Sequence, residues 1–411
     1  MKVLHTADWH LGQKFLYKDR EDEHRLALDW LLEAIREQAI DALIVAGDIF
    51  DIGNPPNYAR ALYYSFLRQL LGSNCRHVVI VGGNHDSPAM LNAPRELLRA
   101  FNFHIIGSPA EDPAEDLLVL NDADGQPELL IAAVPFLRDR DLRTSLAGET
   151  SADRQERLQQ GLTAHYQTLA DLAMPYADKH IPILATGHLY AKGAVATDKQ
   201  DNIYIGNREN MEASQFPEIF HYVALGHIHR PQAVGGEARI RYSGSLIPLS
   251  FSETKDDKSV EVLTFDGATL QDRQTVLVPV FRRLKTIQGD LPEVQAALDR
   301  FAAKTDRRLT PWVEVIVETE DYDPTLDQLL RDYVQDMDLE LLRVRIARPY
   351  QSLAADERLP DDLEDLAVEE VFRQKCYSQG EMTDEAYREL LDSFRELQSW
   401  MQENEAQEAR S

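Results

Sequence analysis

Asp8 and His10 flank Trp9 in the segment "HTADWHLGQ". In an extended chain, residues two apart project to one side, so a carboxylate and an imidazole could converge there on one point. Alone, such a pair marks many ordinary solvated turns. The same donor types recur further on: Asp48 and Asp51 in "ALIVAGDIFD", Asn84, His85 and Asp86 in "HVVIVGGNHD", His188 in "IPILATGH", and His227 and His229 in "YVALGHIH". Read singly, Asp48 is a helix cap, Asn84 a turn residue and His188 a satisfied buried histidine. Read together, five apolar runs each end in Asp, Asn or His close to glycine. Glycine lets the backbone turn tightly at a strand end.

The chemistry of the set suits a hard or borderline divalent cation. Asp8, His10, Asp48, Asn84, His188, His227 and His229 offer oxygen and imidazole nitrogen without thiolate, which favours Mn²⁺ over a soft metal. Seven donors exceed the needs of one tetrahedral ion and match two ions sharing a carboxylate. Two ions roughly 3.5 to 4 Å apart can clamp a phosphoryl group and lower the pKa of bound water from about 15.7 toward 7.

The elements that must position these residues alternate between short apolar runs and amphipathic patterns. "KVLHTA", "ALIVAG" and "HVVIVGG" read as strands separated by the helices "EHRLALDWLLEAIREQ" and "YARALYYSFLRQLLG". "PAMLNAPRELLRAF" reads as a further helix, and "DLLVL" and "ELLIAAVPF" as strands. The polar "RDRDLRTSLAGETSADRQ" reads as a mobile connection into the helix "ERLQQGLTAHYQTLADLA". Strand character returns in "IPILATGH", "YVALGH", "ARIRYSGS" and "SVEVLTF". The expected fold class is α/β, with helix-covered β sheets over 1–278. In open α/β sheets, ligands bind at the C-terminal strand ends, where each donor falls.

A second α/β unit follows over 279–349, with the order strand, helix, strand, helix, strand from "FRRLKTI" to "ELLRVRIAR". Residues 350–362 read as an acidic linker and 363–411 as a two-helix tail. One helix of the tail aligns Leu366, Val368, Val371, Phe372 and Cys376. The other aligns Tyr387, Leu390, Leu391, Phe394, Leu397 and Met401, a broad apolar stripe in want of a partner surface.

The 411 residues carry a net charge of −27, and residues 351–411 alone hold 17 acidic against 6 basic residues. That balance opposes nonspecific affinity for nucleic acid, which comes mainly from Lys and Arg meeting phosphates. It does not exclude DNA, because bound cations offset clustered acids. The basic runs "FRRLK" and "LLRVRIAR" read as strands with solvated arginines on one face. Cys75 and Cys376 match no zinc or redox spacing. The apolar run of a signal peptide and a span of about 18 apolar residues are both absent, so a cytoplasmic, nucleoid-associated protein without a membrane partner is expected.

The order D-x-H, G-D-x-x-D, G-N-H-D, G-H, G-H-x-H resembles the signature of calcineurin-like metallophosphoesterases. Within that superfamily the chain is similar to the SbcD family of bacterial nuclease subunits over nearly its whole length, including "ALGHIHR", "YSGSLIPLSF", the small capping domain and the helical tail. The resemblance implies that Asp8, His10, Asp48 and His229 hold one ion and that Asp48, Asn84, His188 and His227 hold the other, with Asp48 bridging. It implies a catalytic role for His85, facing the scissile phosphate, where an imidazole could stabilise charge or assist the leaving oxygen. Asp86 is expected to orient a neighbouring imidazole. Archaeal relatives carry a histidine in place of Asp51, whose duty the sequence leaves open.

The resemblance also implies a homodimer within a heterotetramer, an SbcC-type ABC ATPase with a coiled coil as partner, and DNA as substrate, as double-stranded ends, hairpins or single strands. The implied activity is Mn²⁺-dependent exonuclease and endonuclease action in DNA repair, recombination and replication. A metallophosphatase or small-molecule phosphodiesterase is the competing enzyme reading, but it would not need the small domain or the tail. A noncatalytic scaffold is the third reading, and would be expected to lack some of the donors.

Overall fold

The structure is a computed structural model that describes residues 1–142, 150–195, 211–304, 308–319 and 324–347, together with Tyr387, Leu390, Leu391 and Phe394. The chain divides into two compact units, Met1–Arg348 and Pro349–Ser411.

The first unit is built on two six-stranded sheets. One runs in the order Thr269–Leu277, Ser259–Asp266, Lys2–Thr6, Ala42–Ala46, His77–Val81, Phe103–Ile106. Its last four strands are parallel and its first two antiparallel. The other runs Gln232–Val234, Glu237–Tyr242, Tyr222–Gly226, Ile183–His188, Pro127–Ala132, Leu117–Asn121, with four parallel strands between two antiparallel edges.

Period two explains how the sheets stack. Ala42 and Ile44 project into an apolar layer shared with Ile131, Leu184 and Ala224 of the other sheet. Leu43 and Val45, between them in sequence, face the opposite way into a layer with Leu28, Leu31, Phe66 and Leu67 from the helices Glu21–Glu37 and Asn57–Leu70. Helix Ser151–Ala173 covers the outer face of the second sheet through Leu162, Tyr166 and Leu169. Strands buried on both faces read as unbroken apolar runs, and all of Ala42–Ala46 and His77–Val81 is buried.

Two expected elements differ. The run "PAMLNAPRELLRAF" forms two short helices, Pro88–Asn92 and Arg95–Arg99, because Pro94 between them has no N–H to give the preceding turn. The long helix starts five residues earlier than the apolar pattern suggests, at Ser151. Thr150 accepts from the Asp153 N–H at 3.2 Å and Asp153 reaches back to the Thr150 N–H, a capping box hidden in the polar connection. Within that connection Asp139–Leu142 makes one helical turn, and 143–149 fall outside the described residues.

Beyond the sheets, Arg282–Gly289, Leu309–Glu318 and Glu340–Ala347 form a parallel three-stranded sheet, connected through helices Leu291–Ala302 and Leu326–Val334. Its core includes Ile287, Val294, Leu298, Val313, Val315 and Leu330. The arginines of its strands are not simply solvated, as the sequence suggests. The Arg282 guanidinium lies 3.9 Å from the Trp312 ring centroid and donates to Glu23 at 3.3 Å. Glu23 also pairs with the fully buried Arg20 at 2.6 Å. Arg283 stacks 4.1 Å from the Phe301 centroid, and Arg343 pairs with Glu314.

In the second unit Tyr387, Leu390, Leu391 and Phe394 are helical. Their spacing of three, one and three residues puts them on one helix face. The expected linker 350–362, the first tail helix, Leu397 and Met401 lie outside the described residues. No described helix is long and apolar enough to cross a membrane.

Candidate metal centre

The strand carrying Asp8 and His10 ends at Thr6, so pleating does not bring the two side chains together. Both residues adopt left-handed backbone, with φ of 52° and 46°, as do Asp48 at 48° and His227 at 102°. Non-glycine residues enter that region rarely, and such conformations cluster at functional sites. The turns are held by main-chain bonds from Asp8 N–H to the Gly47 carbonyl and from His10 N–H to the Asp48 carbonyl, each 3.0 Å. Convergence therefore comes from paired turns beyond two adjacent parallel strands.

All seven expected donors meet in this region. The Asp48 Oδ2 atom lies 3.2 Å from His188 Nε2. The Asn84 side-chain oxygen lies 3.0 Å from both His188 Nε2 and His227 Nδ1, and those two nitrogens are 3.3 Å apart. Asp8, His10 and His229 form a second group with ligand atoms within 4.8 Å of one another. Asp48 stands between the groups, since its Oδ2 is also 3.5 Å from His10 Nε2.

The residues fit a pair of cations by a direct criterion. Asp8 Oδ2 and His10 Nε2 are buried with no hydrogen-bond partner, and buried polar groups without partners are uncommon and costly. The charges agree. Burial pushes the Asp8 carboxyl up. Burial also opposes ionised Asp48, but neighbouring imidazoles, His188 foremost, outweigh it and hold that carboxyl well below the usual range. Burial disfavours charged His10 and His188, yet the Asp51 and Asp48 carboxylates raise His10 to about 9 and Asp48 raises His188 to about 9. For His227, burial and the His188 charge press the other way. Two carboxylates thus gather protons onto imidazoles, the positive charge a dication would replace.

The glycines serve mainly by their missing side chains. A Cβ on Gly83 would stand 2.1 Å from Asp48 Oδ1, and one on Gly226 would stand 1.8 Å from the Ala46 carbonyl oxygen. Of the strand-end glycines beside the donors, Gly47 has positive φ, at 90°, while Gly83, Gly187 and Gly226 do not. Close approach of another strand end explains Gly83 and Gly226 better than tight turning does, and at Gly187 a Cβ would stand 2.3 Å from the Tyr166 hydroxyl of the covering helix.

Supporting contacts give the remaining residues roles. Asp51 accepts from His10 Nδ1 at 3.0 Å through its carboxylate, and its backbone carbonyl accepts from His85 Nδ1 at 2.7 Å. It therefore orients a donor and the candidate catalytic imidazole at once, and His10, Asp51 and His85 form a third compact group. His188 Nδ1 donates to the Ala46 carbonyl at 3.0 Å, which turns Nε2 toward Asp48. Asp86 does not orient an imidazole as expected. Its two oxygens accept from the backbone N–H groups of Gly83, Ile49 and Phe50 at 2.8 to 3.1 Å, tying two loops of the centre together. Glu253, beside His229 at 3.2 Å, has no counterpart in the sequence motifs, none of which includes it.

Two stacked sheets with Asp, Asn and His donors on the ends of parallel strands define a calcineurin-like phosphoesterase, and the profile of that family matches residues 1–231. Residues 280–379 match the family described as the Type 5 capsule protein repressor C-terminal domain. The chain is 38% identical over 376 residues to the SbcD subunit of nuclease SbcCD from Escherichia coli (strain K12), covering 91% of this chain and 92% of that one. It is 33% identical to the protein of the same name from Rhodobacter capsulatus, covering 90% and 93%, and 30% identical to that of Bacillus subtilis (strain 168), covering 99% and 100%. The chain belongs to the SbcD family.

Proposed function

We propose that this chain is a metal-dependent nuclease that hydrolyses DNA phosphodiesters as the nuclease subunit of an SbcCD-type complex. The observation that carries the reading is the largely buried seven-donor centre, two of whose ligand atoms lack a hydrogen-bond partner, on a chain similar over nine-tenths of its length to subunits named as nucleases.

In this reading Asp8, His10, Asp48 and His229 hold one ion, and Asp48, Asn84, His188 and His227 hold the other. When bound, the ions supply Lewis acidity at phosphoryl oxygens and acidify water toward neutral pH. The oxygen and imidazole donors favour Mn²⁺. His85 gives its Nδ1–H to the Asp51 carbonyl at 2.7 Å, which leaves Nε2 as the atom that meets a substrate oxygen. The test is Mn²⁺-dependent cutting of hairpin-ended DNA, with and without the coiled-coil SbcC-type ATPase and ATP, beside hydrolysis of bis(p-nitrophenyl) phosphate. DNA cutting that rises with the ATPase is expected. Turnover confined to the simple ester would assign the chain to small-molecule diesters.

A homodimer within a heterotetramer completes the assembly. Tyr64 on helix Asn57–Leu70 is 43% exposed, and Leu97 and Phe101, on and just after helix Arg95–Arg99, are 67% and 47% exposed. Exposed apolar groups of this size mark association surfaces when they form patches. Sedimentation should give the mass of two chains at micromolar concentration. A single-chain mass unchanged by the ATPase would rule the dimer out.

The tail is the docking element for the ATPase coiled coil. Tyr387, Leu390, Leu391 and Phe394 share a helix face, and Leu390 is 44% exposed. An apolar helix stripe suits a hydrophobic groove, and isolated helices of about 12 to 15 residues are marginal in water. Deleting residues 361–411 is expected to leave metal content and melting behaviour of the remainder unchanged while abolishing copurification with the ATPase. Full-stoichiometry capture by the truncated chain would place docking elsewhere.

A further inference from the structure

Behind His229 lies a buried ion pair that no motif predicts. Glu253 and Lys258 are 2% and 6% exposed, and Lys258 Nζ donates to Glu253 Oε2 at 2.7 Å. The same pair grips His229 at both ends. Glu253 Oε1 accepts from His229 Nδ1 at 3.2 Å, and Lys258 Nζ donates to the His229 backbone carbonyl at 2.8 Å. The Leu249 N–H donates to Glu253 Oε2 at 3.1 Å, fixing the carboxylate from a third side.

Such a pair is poorly explained as a source of stability. Desolvation largely offsets its attraction, and apolar replacements of similar volume are often neutral or better. What it supplies is geometry. A carboxylate facing an ammonium is an acceptor only, so His229 must carry its proton on Nδ1 and present Nε2 as a lone pair. A carboxylate behind a ligating imidazole fixes its tautomer and ring orientation and raises its basicity. His229 needs this more than its neighbours do: its side chain is 14% exposed, against 3% for His10 and 0% for His188.

We propose that Glu253, locked by Lys258, is the positioning residue for His229 and sets how tightly the Asp8–His10–His229 half of the centre holds its ion. The inference rests on the two-ion reading above. In the other half, built on Asn84, His188 and His227, His188 takes its orientation from the Ala46 carbonyl and not from this pair. A neutral amide cannot satisfy both partners. With its oxygen on Lys258, its NH₂ group would face His229 Nδ1 and drive the ring proton to Nε2, closing the ligand position.

Calorimetric titration with Mn²⁺ tests this, together with the EPR signature of a spin-coupled pair. Wild type should bind two ions. Glu253→Gln should bind one ion as before and the other about 10- to 100-fold more weakly, with a mononuclear signal at limiting Mn²⁺ that becomes coupled again in excess. The retained ion reports that the fold survives. A double variant, Glu253→Leu with Lys258→Met, removes the ion pair without leaving a buried charge. It should melt no lower than Glu253→Gln yet show the same selective loss. Two ions bound at wild-type affinity in either variant, or both ions lost together, would overturn the inference. Fewer than two ions in wild type would instead overturn the two-ion reading on which it rests.

Discussion

Replacing Asp48 with alanine is expected to remove both ions and all measurable DNA cleavage, the largest effect of any single substitution in this chain. One oxygen, Oδ2, lies 3.5 Å from His10 Nε2 and 3.2 Å from His188 Nε2, so it faces both ligand groups. The other oxygen accepts the His85 backbone N–H at 2.9 Å and holds the loop that carries Asn84. Losing the carboxylate removes the charge that favours cations in each half, and both metal-assisted activation of water and clamping of the phosphoryl group need the pair of ions. Alanine adds a second penalty, since residue 48 sits at φ 48°, where asparagine and aspartate are better tolerated. Asp48→Asn therefore separates the causes: shape and backbone are kept and charge is lost, so it too should fail to load two ions. Two ions detected by calorimetry in either variant would end the bridging assignment.

The candidate donors were legible in the sequence because buried parallel strands announce themselves. "ALIVA" and "HVVIV" are apolar on both faces, so the first Asp, Asn or His after each run stands at the strand's C-terminal end. The way those residues converge was not legible. A period-two pattern places Asp8 and His10 together on a pleat that ends at Thr6, whereas left-handed turns at Asp8, His10, Asp48 and His227 bring the donors in. Single-residue φ depends on which strands are neighbours, and that is a tertiary fact. Similarly, the glycines at 83 and 226 appear in sequence as turn formers, but the contact each would violate lies on the neighbouring strand Ala42–Ala46 or in the turn just beyond it.

Supporting residues were harder still to find. Glu253 and Lys258 lie 24 and 29 residues from His229 and carry no spacing signature. Asp51 could be named but not interpreted, because its work is divided between a side chain on His10 and a main-chain carbonyl on His85. The exposed edge strand Thr269–Leu277 is silent in the sequence for a different reason. Its residues "TLQDRQTVL" alternate weakly and none is buried, so they lack the apolar face on which strand recognition relies.

His85→Gln is expected to lose most turnover, by about 10² to 10⁴ in kcat, the usual worth of a positioned acid or base, while retaining both ions. Main chain and side chain of residue 85 do separate work at the centre. Its main-chain N–H reaches Asp48 Oδ1 at 2.9 Å, and that contact survives any side-chain replacement. Its ring packs edge-on to His10 at 4.9 Å between centroids and gives its Nδ1 proton to the Asp51 carbonyl, so the ring is aimed without serving either ligand group. The residue is exposed, as a group that meets a macromolecular substrate must be, whereas Asp8, His10 and Asp48 beside it are buried. Glutamine can still donate to the Asp51 carbonyl but cannot exchange a proton near neutral pH, so position is kept and proton chemistry is lost. Metal content, melting temperature and DNA affinity should therefore match wild type, with the deficit confined to kcat. If ion stoichiometry falls in step with rate, His85 is itself a ligand and the division between donors and catalyst is wrong.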